Sequence, residues 1–475
     1  MSDELLIAAG PGEWRAALLE DGVPVELYVE RGDRSEVGSI HLGRVRRLLP
    51  ALNALLVDIG GDRPAFLPAG DVLPRGRRLD EGERVIVQIR RESQGGKAAR
   101  LTTGVVLRGQ RVELRVGRPG IRGGETLSPA EQARLLTAVA GFDRAPQPDP
   151  LPACGEREGP AKREGEGPSG LRLLEPALVE SLIAEATDLS RRWRNILERA
   201  ARLSPPSRLD PPLSFATALG GALPAAPSRI LVDEPAIIPQ LRAVFLGTII
   251  QHKPEAEWPV ELDAVFDRAL AGAVALAGGG AVHIEATRAA VLIDVDSGSP
   301  QTGAPESTGL AVNLAAVDVI AGQIRLRNLG GGIVIDFVGF EDRRLRERVR
   351  EALAEALAPD PARPQILGWT RLGHLELVRP RRGRPLAEAL LEPRSGGPLI
   401  KTAVTVAHEA LRALRHEARI QPGPRWRLTV HPDVAAALAG GAAAALRALE
   451  QRFGRAVAIE ADPRLDRVRF QIAPV

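Results

Sequence analysis

Short apolar runs separated by glycine and proline dominate the first quarter of the chain. At residues 14–31 (WRAALLEDGVPVELYVER) two such runs flank Asp21-Gly22, a pair that favours the tight turn of a β-hairpin. Residues 38–116 continue with GSIHLGRVRRLL, NALLVDIGG, PAFLPAGDV, ERVIVQIRR and ARLTTGVVL, with no helical period between them. Short strands this closely spaced predict a small closed barrel of the OB type. The period then changes. Leu178, Leu182, Ala186, Leu189, Trp193, Ile196 and Ala200 recur at helical spacing, and Pro205-Pro206 stops the helix. That stripe predicts core packing.

From residue 229 strand and helix patterns alternate. RILVDE reads as a strand and DEPAIIPQLRAVFL as a helix. After Gly278-Gly279-Gly280 come the strands AVHIE and AAVLIDVD, a helix over 313–327, and the strand GGIVIDFVGF. Such alternation predicts an α/β layer structure. Beyond residue 398 a helix (LIKTAVTVAHEALRALRHEAR), a strand (WRLTVHP), a helix (AAAALRALEQRFG) and two strands (AVAIEA, RVRFQIA) predict a separate small α/β unit. The fold class expected is an α/β multidomain protein.

Composition sharpens this picture in three places. At 475 residues the chain needs several cores, and 44% apolar with 26% charged residues is ordinary for folded domains. The net charge is only +3, yet nearly every basic residue is arginine, with Lys97, Lys162, Lys253 and Lys401 the only lysines. Abundant Ala, Gly and Pro give that bias a bland cause in GC-rich coding, but guanidinium forks pair with phosphate oxygens whatever enriched them. A single cysteine, Cys154, excludes intrachain disulfides and multi-cysteine zinc sites, so a reducing compartment is expected. Residues 1–14 have neither the basic start nor the apolar core of a signal peptide, and no apolar run predicts a membrane segment. A cytoplasmic protein is expected. Residues 144–170, rich in proline, glycine and alternating charge, read as a flexible insertion.

Three acids stand out against greasy neighbours. In the strand 291–296, Val291, Ile293 and Val295 share one face while Leu292, Asp294 and Asp296 share the other. Asp336 sits in the equally apolar strand IVIDF. Carboxylates buried in such strands need a compensating cation or hydrogen bonds. If the strands are neighbours, Asp294 and Asp336 converge and suit a hard oxygen-seeking cation such as Mg2+. Each Asp alone can equally cap the turn after its strand. The histidines show no metal spacing: His408 and His416 lie on one helix and are expected to face solvent, and His283 to be a core histidine. No glycine-rich phosphate loop with a lysine is present, which argues against nucleotide-driven chemistry. In the barrel region Phe66, with His41, Arg44, Arg46 and Lys97, is the candidate RNA-holding set, aromatic for stacking and basic for phosphates.

The strings GSIHLGRVRRLLPALNALLVDIGGDRPAFLP, GGKAARLTT, VLIDVDSGS, NLAAVDVIAGQIRLRNLGGGIVIDF and LGWTRLGHLELVRPR, in that order, resemble the catalytic half of the ribonuclease E/G family over residues 12–395. The resemblance implies an endoribonuclease of RNA processing or decay. It would be specific for single-stranded, AU-rich RNA and leave 5′-phosphate and 3′-hydroxyl ends. It implies an RNase H-like subdomain (1–36 and 206–277), an inserted OB-fold RNA-binding domain (37–110), a 5′-sensor-like region (111–205), a DNase I-like catalytic subdomain (278–395) and a small C-terminal domain (396–475). It also implies one Mg2+ held by Asp294 and Asp336. Asp296 occupies the place of an asparagine, and Arg379 and Arg381 are candidates for gripping the RNA backbone.

This sequence departs from the family pattern at three points. Residues 392–397 (EPRSGG) lack the cysteine pair that links subunits through zinc, so neither structural zinc nor a zinc-linked tetramer is expected, while a homodimer stays open. Leu174 and Glu175 take the places of the Arg-Thr pair of the 5′-monophosphate pocket, which implies weak or absent 5′-end sensing. One stacking phenylalanine falls on Leu56, leaving Phe66 alone. The lost stacking phenylalanine, the lost sensor pair and Asp296 in place of asparagine keep a second expectation in play: a catalytically weak or inactive RNA-binding relative.

Overall fold

The structure is a computed structural model that describes residues 3–31, 36–61, 63–91, 98–109, 111–123, 127–140, 169–173, 178–211, 214–287, 289–298, 305–339, 342–394 and 397–475. Two compact units result, Met1–Asp33 with Leu219–Val475, and Arg34–Ala218. Lys97, Cys154, Leu174, Glu175 and nearly all of the 144–170 insertion lie outside the described residues.

The unit Arg34–Ala218 contains the barrel. Strands Ile40–Leu49, Ala54–Asp58, Ala65–Pro68, Arg100–Thr102 and Arg84–Arg91 follow one another around it, and Ile40–Leu49 pairs with both Ala54–Asp58 and Arg84–Arg91, closing the ring. Alternation explains the closure: Val45, Leu55, Val57, Ala65, Leu67, Val87, Ile89 and Leu101 fill the interior while their neighbours face out. A closed ring leaves no free edge among these strands. Ser207–Asp210, expected with the RNase H-like part, instead pairs with Ile40–Leu49, and its Leu209 is fully buried in the core beside the barrel. A second sheet in this unit orders Ile121–Arg122, Gly170–Leu173, Val112–Arg115 and Val106–Arg108. One of its faces, through Leu107, Val112, Leu114 and Leu171, packs on helices Pro129–Ala140 and Val179–Arg202. The helical stripe from Leu182 to Ala200 is buried as expected, but Leu178 precedes the helix and is 78% exposed.

The other unit opens with a mixed sheet ordered Ile249–His252, Arg229–Val232, Asp3–Ala9, Glu13–Glu20, Val23–Arg31. The first three strands are parallel and the last three antiparallel. Asp21 and Gly22 sit at φ 49° and 81°, the left-handed pair that a two-residue hairpin turn requires. The strand Asp3–Ala9 was not anticipated. The expected helix after residue 233 shrinks to a 3-10 turn, Pro235–Ile237, and one short helix, Ile238–Arg242, because Pro239 removes a backbone donor from the run.

The second sheet of this unit orders Ala273–Ala275, Ala281–Ala286, Val291–Asp296, Gly331–Asp336, Leu375–Arg379 and Gln365–Trp369, with Val291–Asp296 and Gly331–Asp336 its parallel pair. Val291, Ile293, Val295, Ile333, Ile335, Leu375 and Leu377 bury one face under helices Pro305–Leu326 and Arg343–Leu357. Within the first of these helices Gly309–Leu326 is long and apolar enough to cross a membrane. Its Ala316, Val317, Ile320 and Ile324 are nevertheless buried under the sheet, which accounts for the composition. Arg325 ties the same helix to the N-terminal sheet through Glu26 (2.9 Å) and Glu20 (2.6 Å).

The C-terminal part places Trp426–Val430 between Ala458–Ala461 and Phe470–Pro474, over helices Ala403–Ile420, Pro432–Ala439 and Ala443–Phe453. Helix Ala403–Ile420 joins the N-terminal sheet through a buried ionic network. Arg15 bonds Glu13 (2.9 Å), Asp263 (2.8 Å) and Glu409 (3.1 Å), and Arg412 bonds Glu13 and Asp263. Burial alone would raise the Glu13 carboxyl, but the guanidiniums of Arg15, Arg412 and Arg31 hold it well below the carboxylate range. His408, expected at the surface, is buried in this junction, and its Nδ1 lies 3.2 Å from the Pro11 carbonyl.

Candidate functional site

The sheet face away from the helices gathers the chemistry. Asp294 and Asp336 are Cα partners on the two parallel strands, so their side chains project from the same face, on strands about 4.8 Å apart. Both lie at carboxyl ends of parallel strands, where α/β sheets present their ligand-binding crevices. His283 is the antiparallel partner of Asp294, and His374 Nε2 stands 3.7 Å from Asp336 Oδ2. The row across the sheet is therefore His283, Asp294, Asp336, His374.

Two expectations about this row need correction. The carboxylates are not buried: Asp294 and Asp296 are exposed and the Asp336 side chain is 57% exposed, because helices cover only the Val291/Ile293/Val295 face. His283 is likewise exposed on the open face and is no core histidine. The capping alternative for the acids separates them. Asp296 Oδ1 accepts the Gly298 amide at 2.9 Å, closing the turn after its strand, whereas neither Asp294 nor Asp336 caps a described amide. Asp296 is thus engaged locally, and Asp294 and Asp336 keep their oxygens for other partners.

Buried contacts hold the row in place. Asn313, fully buried on helix Pro305–Leu326, donates Nδ2–H to the Val338 carbonyl (2.8 Å) and accepts the Val338 amide at Oδ1 (2.9 Å). This pair of bonds pins the chain two residues beyond Asp336. Phe337 packs against Trp369, with ring centroids 6.0 Å apart. Gly280, at φ +86°, has the Asp296 carbonyl oxygen 2.3 Å from where a Cβ would stand, so only glycine lets the two turns stack.

The two proposed RNA-gripping arginines behave differently. Arg379 is 2% exposed and cannot reach RNA: Nε and Nη2 bond Asp360 (2.6 and 3.2 Å), and Nη1 donates to the Asn328 side chain (3.0 Å) and the Leu329 carbonyl (2.8 Å). It is a structural ion pair. Arg381 is exposed and lies over Gly330 and Gly331, at the far end of the Asp336 strand, roughly 17 Å along it. The sheet does not bring it to the aspartates.

On the barrel, Phe66 pairs with Leu56 on one side and Arg100 on the other, and Arg47 pairs with Leu56. Their neighbours Leu55, Val57, Ala65 and Leu67 fill the core, so Arg47, Leu56, Phe66 and Arg100 line the outer surface. Arg44 is half-buried and donates to the Gly82 carbonyl (3.2 Å), while exposed Arg46 pairs with Asp58. His41 is buried against Ser39 Oγ (2.9 Å), and burial lowers its pKa, so it is withdrawn from phosphate contact.

A sequence profile of the Ribonuclease E/G family matches residues 175–382, which include the whole Asp294 and Asp336 strand pair. Ribonuclease G of Salmonella typhimurium (strain SL1344) is 28% identical over 505 aligned positions, 99% of either chain, and Ribonuclease G of Escherichia coli (strain K12) is 28% identical over 508, with the same coverage. The chain belongs to the ribonuclease E/G family. Ribonuclease E of Synechocystis sp. is 30% identical over 392 positions, covering 78% of this chain and 55% of that protein. For this family member the sequence reading missed His374 and Asn313. The only available signal for His374 was its place opposite Asp336 on the next strand, and a mid-helix asparagine inside an apolar stripe hinted at Asn313.

A metal fit can be tested on donor chemistry. Among the described residues no group of three or more His, Cys, Asp or Glu side chains converges on one point. That excludes a closed zinc cage there. Two carboxylates on one open face match Mg2+, which keeps several waters and takes one or two carboxylates besides substrate phosphates.

Proposed function

We propose that this protein is a Mg2+-dependent endoribonuclease that hydrolyses single-stranded RNA to 5′-phosphate and 3′-hydroxyl ends, acting in RNA processing or decay. The observation that carries the reading is the in-register pair Asp294 and Asp336 on the uncovered face of the sheet, at the carboxyl ends of its parallel strands. These side chains would hold the cation, and a bound Mg2+ supplies charge stabilisation at the scissile phosphate. Asp294 and Asp336 contribute two negative charges that offset it. Asp296, tied to the Gly298 amide, adds charge beside the pair and shapes the turn rather than serving as a third ligand. His374 stands on the outer side of Asp336, where it limits the orientations that carboxylate can take. Water adds to phosphorus, the bond to the 3′ oxygen breaks, and that oxygen leaves as the hydroxyl.

The outer row Leu56, Phe66 and Arg100, with Arg47, supports single-strand holding by one stacking aromatic and flanking guanidiniums. We assign Lys97 to the same RNA contact from the family pattern, place no zinc in this chain, and expect cleavage with little dependence on a 5′-monophosphate. The reading is tested by incubating a fluorescent single-stranded RNA with the protein in Mg2+ and in chelator. Cleavage in Mg2+ alone, absent in Asp336→Asn, supports it. Intact RNA that stays bound under every condition identifies instead a binding-only relative, the reading that Leu56 in place of an aromatic favours.

A further inference from the structure

The second sheet of the unit Arg34–Ala218 has one face committed to core and one face made of arginine. Core-facing Leu107, Val112, Leu114 and Leu171 alternate with residues that point the other way. Across that outer face Arg108 pairs with Glu113, Glu113 with Arg172, and Arg172 with Arg122, while Arg115 follows on the same face two residues after Glu113. A fifth guanidinium comes from the loop. Gly170 has the Arg118 carbonyl oxygen 2.2 Å from where a Cβ would stand, so this glycine lets the loop cross the strand end and brings Arg118 to the cluster.

Charge on this face is unbalanced. Among the described residues Glu113 is its single acid, reached by Arg108 at 3.9 Å and Arg172 at 3.7 Å. Burial and the neighbouring guanidiniums of Arg118, Arg122 and Arg172 lower the Arg115 pKa, the mark of cations packed closely enough to repel. Arg122 and Arg172 are exposed. Like charges gathered on a sheet face oppose folding unless an anion offsets them. Arg172 and Arg122 stand side by side on strands about 4.8 Å apart, with the other guanidiniums spread along the same face, an arrangement that suits a chain of phosphates better than one isolated anion.

We propose that the face formed by Arg108, Arg115, Arg118, Arg122 and Arg172 binds the internal phosphodiester backbone of single-stranded RNA. The proposal rests on the ribonuclease reading for the identity of the ligand, though not on catalysis. It gives the region a grip on RNA that needs no 5′-terminal phosphate.

The test uses the full chain carrying Asp336→Asn, so that RNA stays intact whether or not the wild type cleaves. Fluorescence anisotropy compares this background with the added pair Arg122→Gln and Arg172→Gln, on single-stranded oligomers bearing a 5′-hydroxyl or a 5′-monophosphate, across a salt series. Losing two phosphate contacts lowers the log–log salt slope by about 1.4, which is about a 25-fold weaker affinity at 0.1 M salt if the difference closes near 1 M. The expected result is that loss for both RNA ends, with a melting temperature that does not fall, since the substitutions relieve repulsion on this face. The pair Arg191→Gln and Arg202→Gln, both exposed on helix Val179–Arg202, serves as the charge-matched control and keeps full affinity. Unchanged affinity and slope in the double variant overturn the proposal. Loss confined to 5′-monophosphate RNA also overturns it, in favour of a terminal-phosphate pocket.

Discussion

Replacing Arg379 with alanine separates a structural arginine from an RNA-binding one. The guanidinium makes four hydrogen bonds, to both Asp360 oxygens, the Asn328 side chain and the Leu329 carbonyl, and both members of the ion pair are nearly inaccessible. Arg379→Ala strands the Asp360 carboxylate in the interior with the Ala362 amide as its remaining hydrogen-bond donor. Removing one partner of a buried pair costs about 3–5 kcal/mol. With a urea slope of about 2–3 kcal/mol/M, the midpoint falls by roughly 1–2.5 M. Tryptophan emission follows the right unit, since Trp14, Trp258, Trp369 and Trp426 lie in it and only Trp193 does not. The double variant Arg379→Met with Asp360→Leu recovers much of the loss, because no uncompensated charge remains. RNA affinity per folded molecule stays at the wild-type value in both. A wild-type midpoint in Arg379→Ala together with weakened, less salt-dependent RNA binding refutes the structural assignment.

Three further outcomes are expected of the same molecule. Asn313→Ala leaves the Val338 amide and carbonyl without their partner, lowers stability by about 2–4 kcal/mol, and cuts cleavage at saturating RNA more than it changes RNA affinity; denaturation and single-turnover assays check both. Leu56→Phe restores an aromatic beside Phe66 and tightens single-strand binding by about 1–3 kcal/mol, read by anisotropy. Glu255 is pushed up to about 7 by burial and by the charge of Asp233. An acid whose folded pKa lies above its unfolded value destabilises the fold as pH rises between the two, so stability declines from about pH 4.5 to 7, and Glu255→Gln flattens that slope in pH-dependent melting.

Much of this molecule was legible before its structure. The five barrel segments form the closed ring because period-two alternation and glycine punctuation are local signals. The Asp294 and Asp336 pairing was legible in part for a related reason: both acids interrupt long apolar strands and alternation put Asp294 on one face with Leu292 and Asp296, while the pairing with Asp336 depended on the two strands being neighbours. Their burial was misjudged, since a strand reads as apolar from one covered face alone and the sequence does not say which face the helices take. Arg379 and His408 were misread for the converse reason. Their partners, Asp360 and the Pro11 carbonyl, lie far away in the chain, and tertiary ion pairing of an arginine leaves no local pattern. His374 was invisible until the strand Leu375–Arg379 was seen to lie beside Gly331–Asp336. The arginine face emerged only when four short strands were placed side by side.

If Asp294 and Asp336 together make the cutting centre of an Mg2+-dependent ribonuclease, neither can be replaced without losing cleavage. The most direct measurement follows a 5′-hydroxyl, fluorescently labelled single-stranded RNA with wild type, Asp294→Asn and Asp336→Asn over an Mg2+ titration, with bound RNA measured in parallel. Mg2+-dependent cleavage by wild type is expected, with a loss of at least about a hundredfold in each variant, equivalent to about 2.7 kcal/mol of barrier, and RNA affinity retained in all three. Cleavage that proceeds in chelator, or that survives both substitutions, contradicts this assignment.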